Sequence, residues 1–248
     1  MFKKIDKQDW LHCSLILVVA VMGTAYAVYL GFSAHENSKE NLLTRANTIA
    51  QFVTAKDIAL LHGSEDDLNN PAYLRLKNRL MSLQAVNPDM RFIYLNGMKD
   101  GSMFFYADSE SADSSEYSNP GQQYSEASDL MKHLFQEKTS GFEIAGDRWG
   151  MWASAMIPII DKESGNIVAL LGVDVAAKKY LTDILIYCLS ALLFTALVIL
   201  LLIWQKRAAR YVYLTEGSLK ANNLEVMNLM KIIKEKEQKI EEIRKGVS

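Results

Sequence analysis

The apolar positions of this chain change period along its length. Two runs are apolar almost throughout, Leu11 to Phe32 and Leu181 to Trp204, and Asp183 is the single charge in either. At ~1.5 Å per helical residue each exceeds the ~30 Å hydrocarbon layer of a bilayer. They predict transmembrane helices over 11–32 and 181–204. Tyr26, Tyr29, Tyr180 and Tyr187 lie toward one interface and Trp10 and Trp204 toward the other, as aromatic belts do. Ala25-Tyr26-Ala27 resembles a signal-peptide cleavage site. The apolar run continues through Phe32, however, and is longer than a signal-peptide core, so an uncleaved helix is expected.

Between the runs the period is first helical. Leu42, Ala46, Ile49 and Ala50, followed by Phe52 or Val53, share a face, which predicts that the first helix continues outward without a break toward Leu61. Pro71 suits the first turn of a second helix with Leu74, Leu80, Leu83 and Val86 apolar, ended by Asn87-Pro88. From Arg91 the period becomes two. Segments 91–98 and 101–108 read as a hairpin about Lys99-Asp100-Gly101. A long polar loop and a short helix near 125–135 follow. Three more strands fall within 141–150, 151–160 and 166–177, the last two joined by a turn at Asp161 to Gly165. The expected domain, 33–180, is therefore α+β with an antiparallel sheet, its two ends near one bilayer surface.

After Gln205 the period is seven: Leu219, Val226, Ile233, Ile240 and Val247. The companion seam is imperfect, either Asn222, Leu229, Lys236 and Ile243 or Asn223, Met230, Glu237 and Arg244. Glu235–Lys239 and Glu241–Lys245 add about 0.2–0.5 kcal/mol each. A marginal parallel coiled coil, a homodimer, is expected over 205–248, with a plain solvated helix as the alternative.

Charge orients the chain. A net charge of -2 conceals an acidic middle, with 14 Lys+Arg against 20 Asp+Glu over 33–180, and a basic tail, 10 against 6. Lys3, Lys4 and Lys7 precede the first run, and Lys206, Arg207 and Arg210 follow the second. Positive-inside then places residues 1–10 and the tail in the cytoplasm, with 33–180 outside and the two apolar helices in contact with lipid. Cys13 and Cys188 lie at different depths, so no disulfide joins them. No nucleic-acid partner is expected.

Several chemistries are absent from the sequence. There is no HExxH, GxSxG, Walker glycine loop, kinase nucleotide box or diguanylate cyclase signature, and His35-Glu36 lies outside the membrane, away from ATP. His12, His35, His62 and His133 have no metal spacing. Asp108, Glu110 and Asp113 offer oxygen donors, but Ala112 stands at the fifth position of an EF-hand register and no glycine at the sixth. No enzyme, metal or cofactor is expected.

In order, "FIYLNG", "MFFYADS", "YSNPGQQY", "WGMWASAMIPI" and "VALLGVDV" resemble a Cache domain, an extracellular relative of PAS sensors, over about Ala34 to Lys179. The chain is most similar to single-module versions that precede histidine-kinase, PAS and diguanylate cyclase regions. The resemblance implies a pocket for a small molecule, such as an amino acid, carboxylate or amine, between the sheet and its covering loop and helix. The loop Asp108 to Tyr124 is long for a compact domain and reads as a lid anchored by Tyr117, Pro120, Gly121 and Tyr124. Alternation puts Asp108 with Tyr106 and Phe104, Trp152 with Ser154 and Met156, and Asp174 with Gly172 and Leu170. If these faces coincide, Tyr106, Asp108, Tyr117, Tyr124, Trp152, Ser154 and Asp174 surround the ligand. Aromatic walls and two carboxylates suit a cationic or amino-acid-like molecule, and no arginine clamp is evident that would exclude an anion. The plainer roles are core packing for Trp152, a strand-end cap for Asp174 and a loop anchor for Tyr124.

The expected function is a dimeric membrane receptor that passes ligand binding through its coiled coil to a cytoplasmic output protein or domain. One alternative is the sensory input region of a longer histidine kinase or diguanylate cyclase. Another is a membrane scaffold whose outer domain binds a protein.

Overall fold

The structure, a computed structural model, describes residues 7–246 and the side chains of 9–237 and 239. The expectations on Lys3, Lys4 and Val247, and on the side chains of Lys7 and of Ile240 to Lys245, lie outside the described residues. Two compact units result, one of residues 26–190 and one of the chain up to 25 together with the chain from 191.

The second unit consists of parts of the first and last helices, α1 (Lys7–Ala50) and α5 (Ala177–Gly246). Both are long and apolar enough to cross a membrane. Inside this unit Gly23 faces Thr195 so closely that an added Cβ would come within 2.2 Å of the hydroxyl oxygen. Lys206 pairs with Asp9 at 2.8 Å. Beyond Gln205 the helix is unbroken, and Leu219, Val226 and Ile233 are exposed.

The larger unit is built on five antiparallel strands: β1 (Met90–Lys99), β2 (Ser102–Asp108), β3 (Gly141–Asp147), β4 (Gly150–Ile160) and β5 (Ile167–Ala176). Their order is β2-β1-β5-β4-β3. Central β5 is covered on both faces, which is why its sequence is apolar almost throughout. On one face lie the end of α1, α2 (Ala55–Ile58), a 3-10 turn at Glu65–Asn69 and α3 (Pro71–Ala85). Leu42, Ala46 and Ile49 of α1 and Leu76 and Leu80 of α3 pack there on Ile93, Leu95, Leu171 and Val173. Burying each such leucine or isoleucine contributes about 1.5–3 kcal/mol. On the other face α4 (Asp129–Glu137) and the loop before it cover Phe92, Tyr94, Met103, Phe105, Met156 and Leu170. Arg45 of α1 holds Asp89 at 2.6 and 2.8 Å, fastening that helix to the start of β1.

Three local expectations are corrected. The first helix stops at Ala50, because Thr54 and Asp57 form a reciprocal capping box that starts a separate turn at Ala55. The buried stripe of α3 is Tyr73, Leu76, Lys77 and Leu80, leaving Leu74 and Val86 exposed. The third correction concerns β2. Asn96 pairs with Phe105 and Leu95 with Ala107, so Tyr106 is an extra, bulged residue. Alternation reverses there. Asp108 consequently lies opposite Tyr94, on the face of Phe105, while Phe104 and Tyr106 face the other way.

Candidate functional site

Strand register builds the site. Asp174 on β5 stands opposite Phe92 on β1 and Ser154 on β4, and Ser154 stands opposite Glu143 on β3. One step along, Tyr94 pairs with Gly172. A Cβ on Gly172 would lie 2.2 Å from Cζ of Tyr94, so only glycine admits the phenol over the central strand. The Tyr94 hydroxyl then donates to Asp174 Oδ1 at 3.3 Å.

The second carboxylate is Asp147, at the end of β3. Its Oδ1 accepts from the backbone N–H of Trp149 at 2.9 Å and of Gly150 at 3.1 Å, closing the turn, and from Trp152 Nε1 at 2.9 Å. Its Oδ2 accepts from the Tyr124 hydroxyl at 3.1 Å. The turn thus places Trp149 beside Phe92, Phe105 and Tyr124, with ring centroids 6.0 to 6.3 Å apart. Phe92 also meets Trp152 edge-on at 5.0 Å.

Two adjacent chambers share Tyr94, Tyr124, Asp147 and Asp174. The first, a cavity of about 20 Å³ with room for about one water, is walled by Phe92, Phe105 and Trp149, with Asp108, Glu116 and Ser118 at its margin. The second, also about 20 Å³, is bounded by Trp152, Ser154, Glu143, Ser128 and Glu126. Among their lining residues there is no Lys, Arg or His. The acids at the margin are neutralised from outside: Lys77 pairs with Asp108, Arg91 with Glu110 and Glu116, and Arg148 with Glu126. Asp147, Asp174 and Glu143 have no ion-pair partner among the described residues.

Burial dominates the electrostatics. It pushes Asp174 up to about 7, opposed by the Ser154 hydroxyl and assisted by the charge of Asp147, with Tyr94 and Glu143 adding smaller, opposite effects. Tyr94 and Tyr124 are pushed up by burial, so both phenols stay protonated and available as donors. Asp108 is raised and Lys77 lowered, each first by burial and against their mutual attraction.

The structure brings five of the seven expected residues to these chambers: Asp108, Tyr124, Trp152, Ser154 and Asp174. Tyr117 instead ties the loop to α3, its hydroxyl 2.8 Å from that of Tyr73 and its ring 4.2 Å below Lys77 Nζ. Tyr106 is on the opposite face, packed edge-on against Phe104 at 4.8 Å, because of the bulge. Phe92, Tyr94, Phe105, Asp147 and Trp149 were not anticipated from the sequence. The signal available for Asp147 was its alternation with Glu143 and Ala145 ahead of an Asp-Arg-Trp-Gly turn.

The covering loop is knitted to the sheet. Gly121 N–H donates to Phe105 O at 2.8 Å, Phe105 N–H to Gln122 O at 3.0 Å and Tyr124 N–H to Met103 O at 2.8 Å, so this stretch runs along the edge of β2. Gly121, at φ +84°, rests on the backbone of Gly63, where an added Cβ would be 2.7 Å from the carbonyl oxygen. Ser118 N–H donates to Asp108 Oδ2 at 2.7 Å.

No protein-family model matches the chain. No curated protein matches it either. Among solved structures, the sensory domain of the Campylobacter jejuni chemoreceptor Tlp3 is similar at 14% identity and TM-score 0.45, over 68% of this chain and 65% of that one. The ligand-binding domain of the same receptor in complex with L-valine gives 15% and 0.46, over 73% and 68%. The periplasmic sensory domain of C. jejuni chemoreceptor Tlp1 gives 12% and 0.42, over 66% and 61%. These neighbours are sensory domains, the kind of domain that the Cache resemblance implies.

Proposed function

We infer that this chain is a membrane receptor whose α+β domain binds a small molecule bearing an ammonium group. One observation carries the inference: Asp147 and Asp174 are fixed at the heart of an aromatic-walled site, with no cationic side chain in its lining and no ion-pair partner among the described residues. An ammonium ligand supplies the missing charge. It gains the carboxylates and, against Phe92, Phe105 and Trp149, cation–π attraction of about 0.5–2 kcal/mol per well-placed ring.

Connectivity favours signalling as the consequence. Asp174 is three residues from Ala177, where β5 passes without a linker into α5. A ligand that draws Asp174 and Asp147 together moves the strand that feeds this helix. The shift requires tighter binding to one arrangement of β5 than to the other. Apolar residues at sevens on the exposed tail support a parallel two-stranded coiled coil as the relay, within a bacterial inner membrane and with both termini cytoplasmic. The relay delivers the change to a cytoplasmic output protein or domain.

Calorimetric titration of the full chain in detergent with n-butylamine and with butyrate tests the ligand class. Saturable heat is expected for the amine, none for the carboxylate, and loss of the amine signal in Asp174→Asn and Asp147→Asn. Binding of butyrate alone, or amine binding unchanged in both variants, contradicts it.

A further inference from the structure

The lateral register of the sheet extends the site beyond a single ammonium. Glu143, Ser154 and Asp174 stand side by side on three neighbouring strands. At ~4.8 Å between strands, the backbones of Glu143 and Asp174 are about 10 Å apart. Both side chains line the second chamber, and Asp174 also lines the first. Glu143 accepts a hydrogen bond from Ser128, the N-cap of α4, and has no ion-pair partner among the described residues. Glu126, across the chamber, is already taken by Arg148. Three carboxylates without cationic partners, Asp147, Asp174 and Glu143, are thus distributed over two chambers.

Resting on the amine-receptor function inferred above, we propose that the ligand is a linear diamine, with one ammonium held by Asp174 and Asp147 beside the aromatic walls and the second held by Glu143 in the adjoining chamber. A zwitterionic α-amino acid is disfavoured by the same inventory. Its carboxylate would enter a site with three acids that have no ion-pair partner among the described residues, lined by no Lys, Arg or His. A monoamine leaves Glu143 without an ion-pair partner. A dication satisfies both ends of the row, and the methylene chain between its ammoniums covers the Trp152 side of the second chamber.

The test is calorimetric titration of the full chain in detergent with propane-1,3-diamine, butane-1,4-diamine and hexane-1,6-diamine, the monoamines of the same lengths, and L-valine. At least one diamine is expected to bind ten-fold or more tightly than its monoamine, with L-valine weaker than both. Glu143→Gln is expected to reduce that diamine to the affinity of its monoamine measured on the same variant. Equal affinity for diamine and monoamine overturns the diamine assignment and leaves the amine receptor standing, as does a preference that survives Glu143→Gln. L-Valine binding more tightly than every diamine also overturns it. Failure of all amines to bind removes the receptor function proposed above and this inference with it. The comparison of ligands on the unmodified chain stands even if Glu143→Gln lowers the yield of folded protein.

Discussion

Replacing Asp174 with asparagine separates the burial of its charge from its position. The carboxyl is 3% exposed and is raised from an ordinary 3.8 to about 7. At ~1.4 kcal/mol per decade, the ionised form costs the folded state about 4 kcal/mol. Below pH 4 the group is protonated whether folded or unfolded, and this cost is absent. Between pH 4 and 7 the unfolded chain loses the proton while the folded chain keeps it, so stability falls as pH rises. Above pH 7 both forms are ionised and the cost levels off. Asparagine keeps the shape and does not titrate. The stability gap between Asp174→Asn and the parent should therefore widen by about 3 kcal/mol from pH 5 to pH 8. For a unit of this size that is about 6–12 °C in the unfolding midpoint. Thermal unfolding in detergent, followed by near-ultraviolet circular dichroism, to which Trp149 and Trp152 contribute, reads it directly. Other titrating groups are common to both proteins and cancel. A gap independent of pH, or one that narrows toward pH 8, would refute the burial of an uncompensated carboxyl.

The same linkage applies to binding: n-butylamine affinity should rise up to about ten-fold per pH unit from pH 5 to 7 and flatten above, by calorimetry, because the proton on Asp174 must leave; a flat profile opposes it. Gly172→Ala should destabilise by about 1–3 kcal/mol through collision with Tyr94 and weaken amine binding, measured by unfolding and titration on one sample. Lys77→Met should cost about 3–5 kcal/mol by stranding Asp108, and Lys77→Met with Asp108→Leu should recover much of it; no recovery would mean that the loop is held by other contacts. In a Cys13→Ser, Cys188→Ser background, Leu219→Cys should form an intermolecular disulfide in membranes and Lys220→Cys should not. Equal yields would oppose the parallel coiled coil.

Much of this organisation was legible in periodicity, because the physics that sets it is local. The apolar runs, the strand alternation and the turn at Asp161 to Gly165 each depend on neighbours in sequence. Asp174 and Trp152 were recognisable for the same reason, as unusual residues on strands whose faces could be counted. What was not legible is what depends on register. The bulge at Tyr106 arises from pairing with β1 and reverses the face of Asp108, which no count along β2 alone reveals. Asp147 reads as an ordinary turn residue until Trp152 and Tyr124 are seen to converge on it. The end of α1 at Ala50 was obscured because Phe52 and Val53 continue the apolar spacing, while the capping box of Thr54 and Asp57 overrides it. Lys77 reads as a solvated helix residue and is instead the buried partner of Asp108.

Crystals of the full chain grown with n-butylamine test the central claim most directly. The account predicts difference density for one amine, its nitrogen within hydrogen-bonding distance of Asp174 and Asp147 and its alkyl chain against Phe92, Phe105 or Trp149. Density instead in the polar cleft lined by Arg45, Asp89 and Lys179, with the aromatic chamber unchanged, would contradict it.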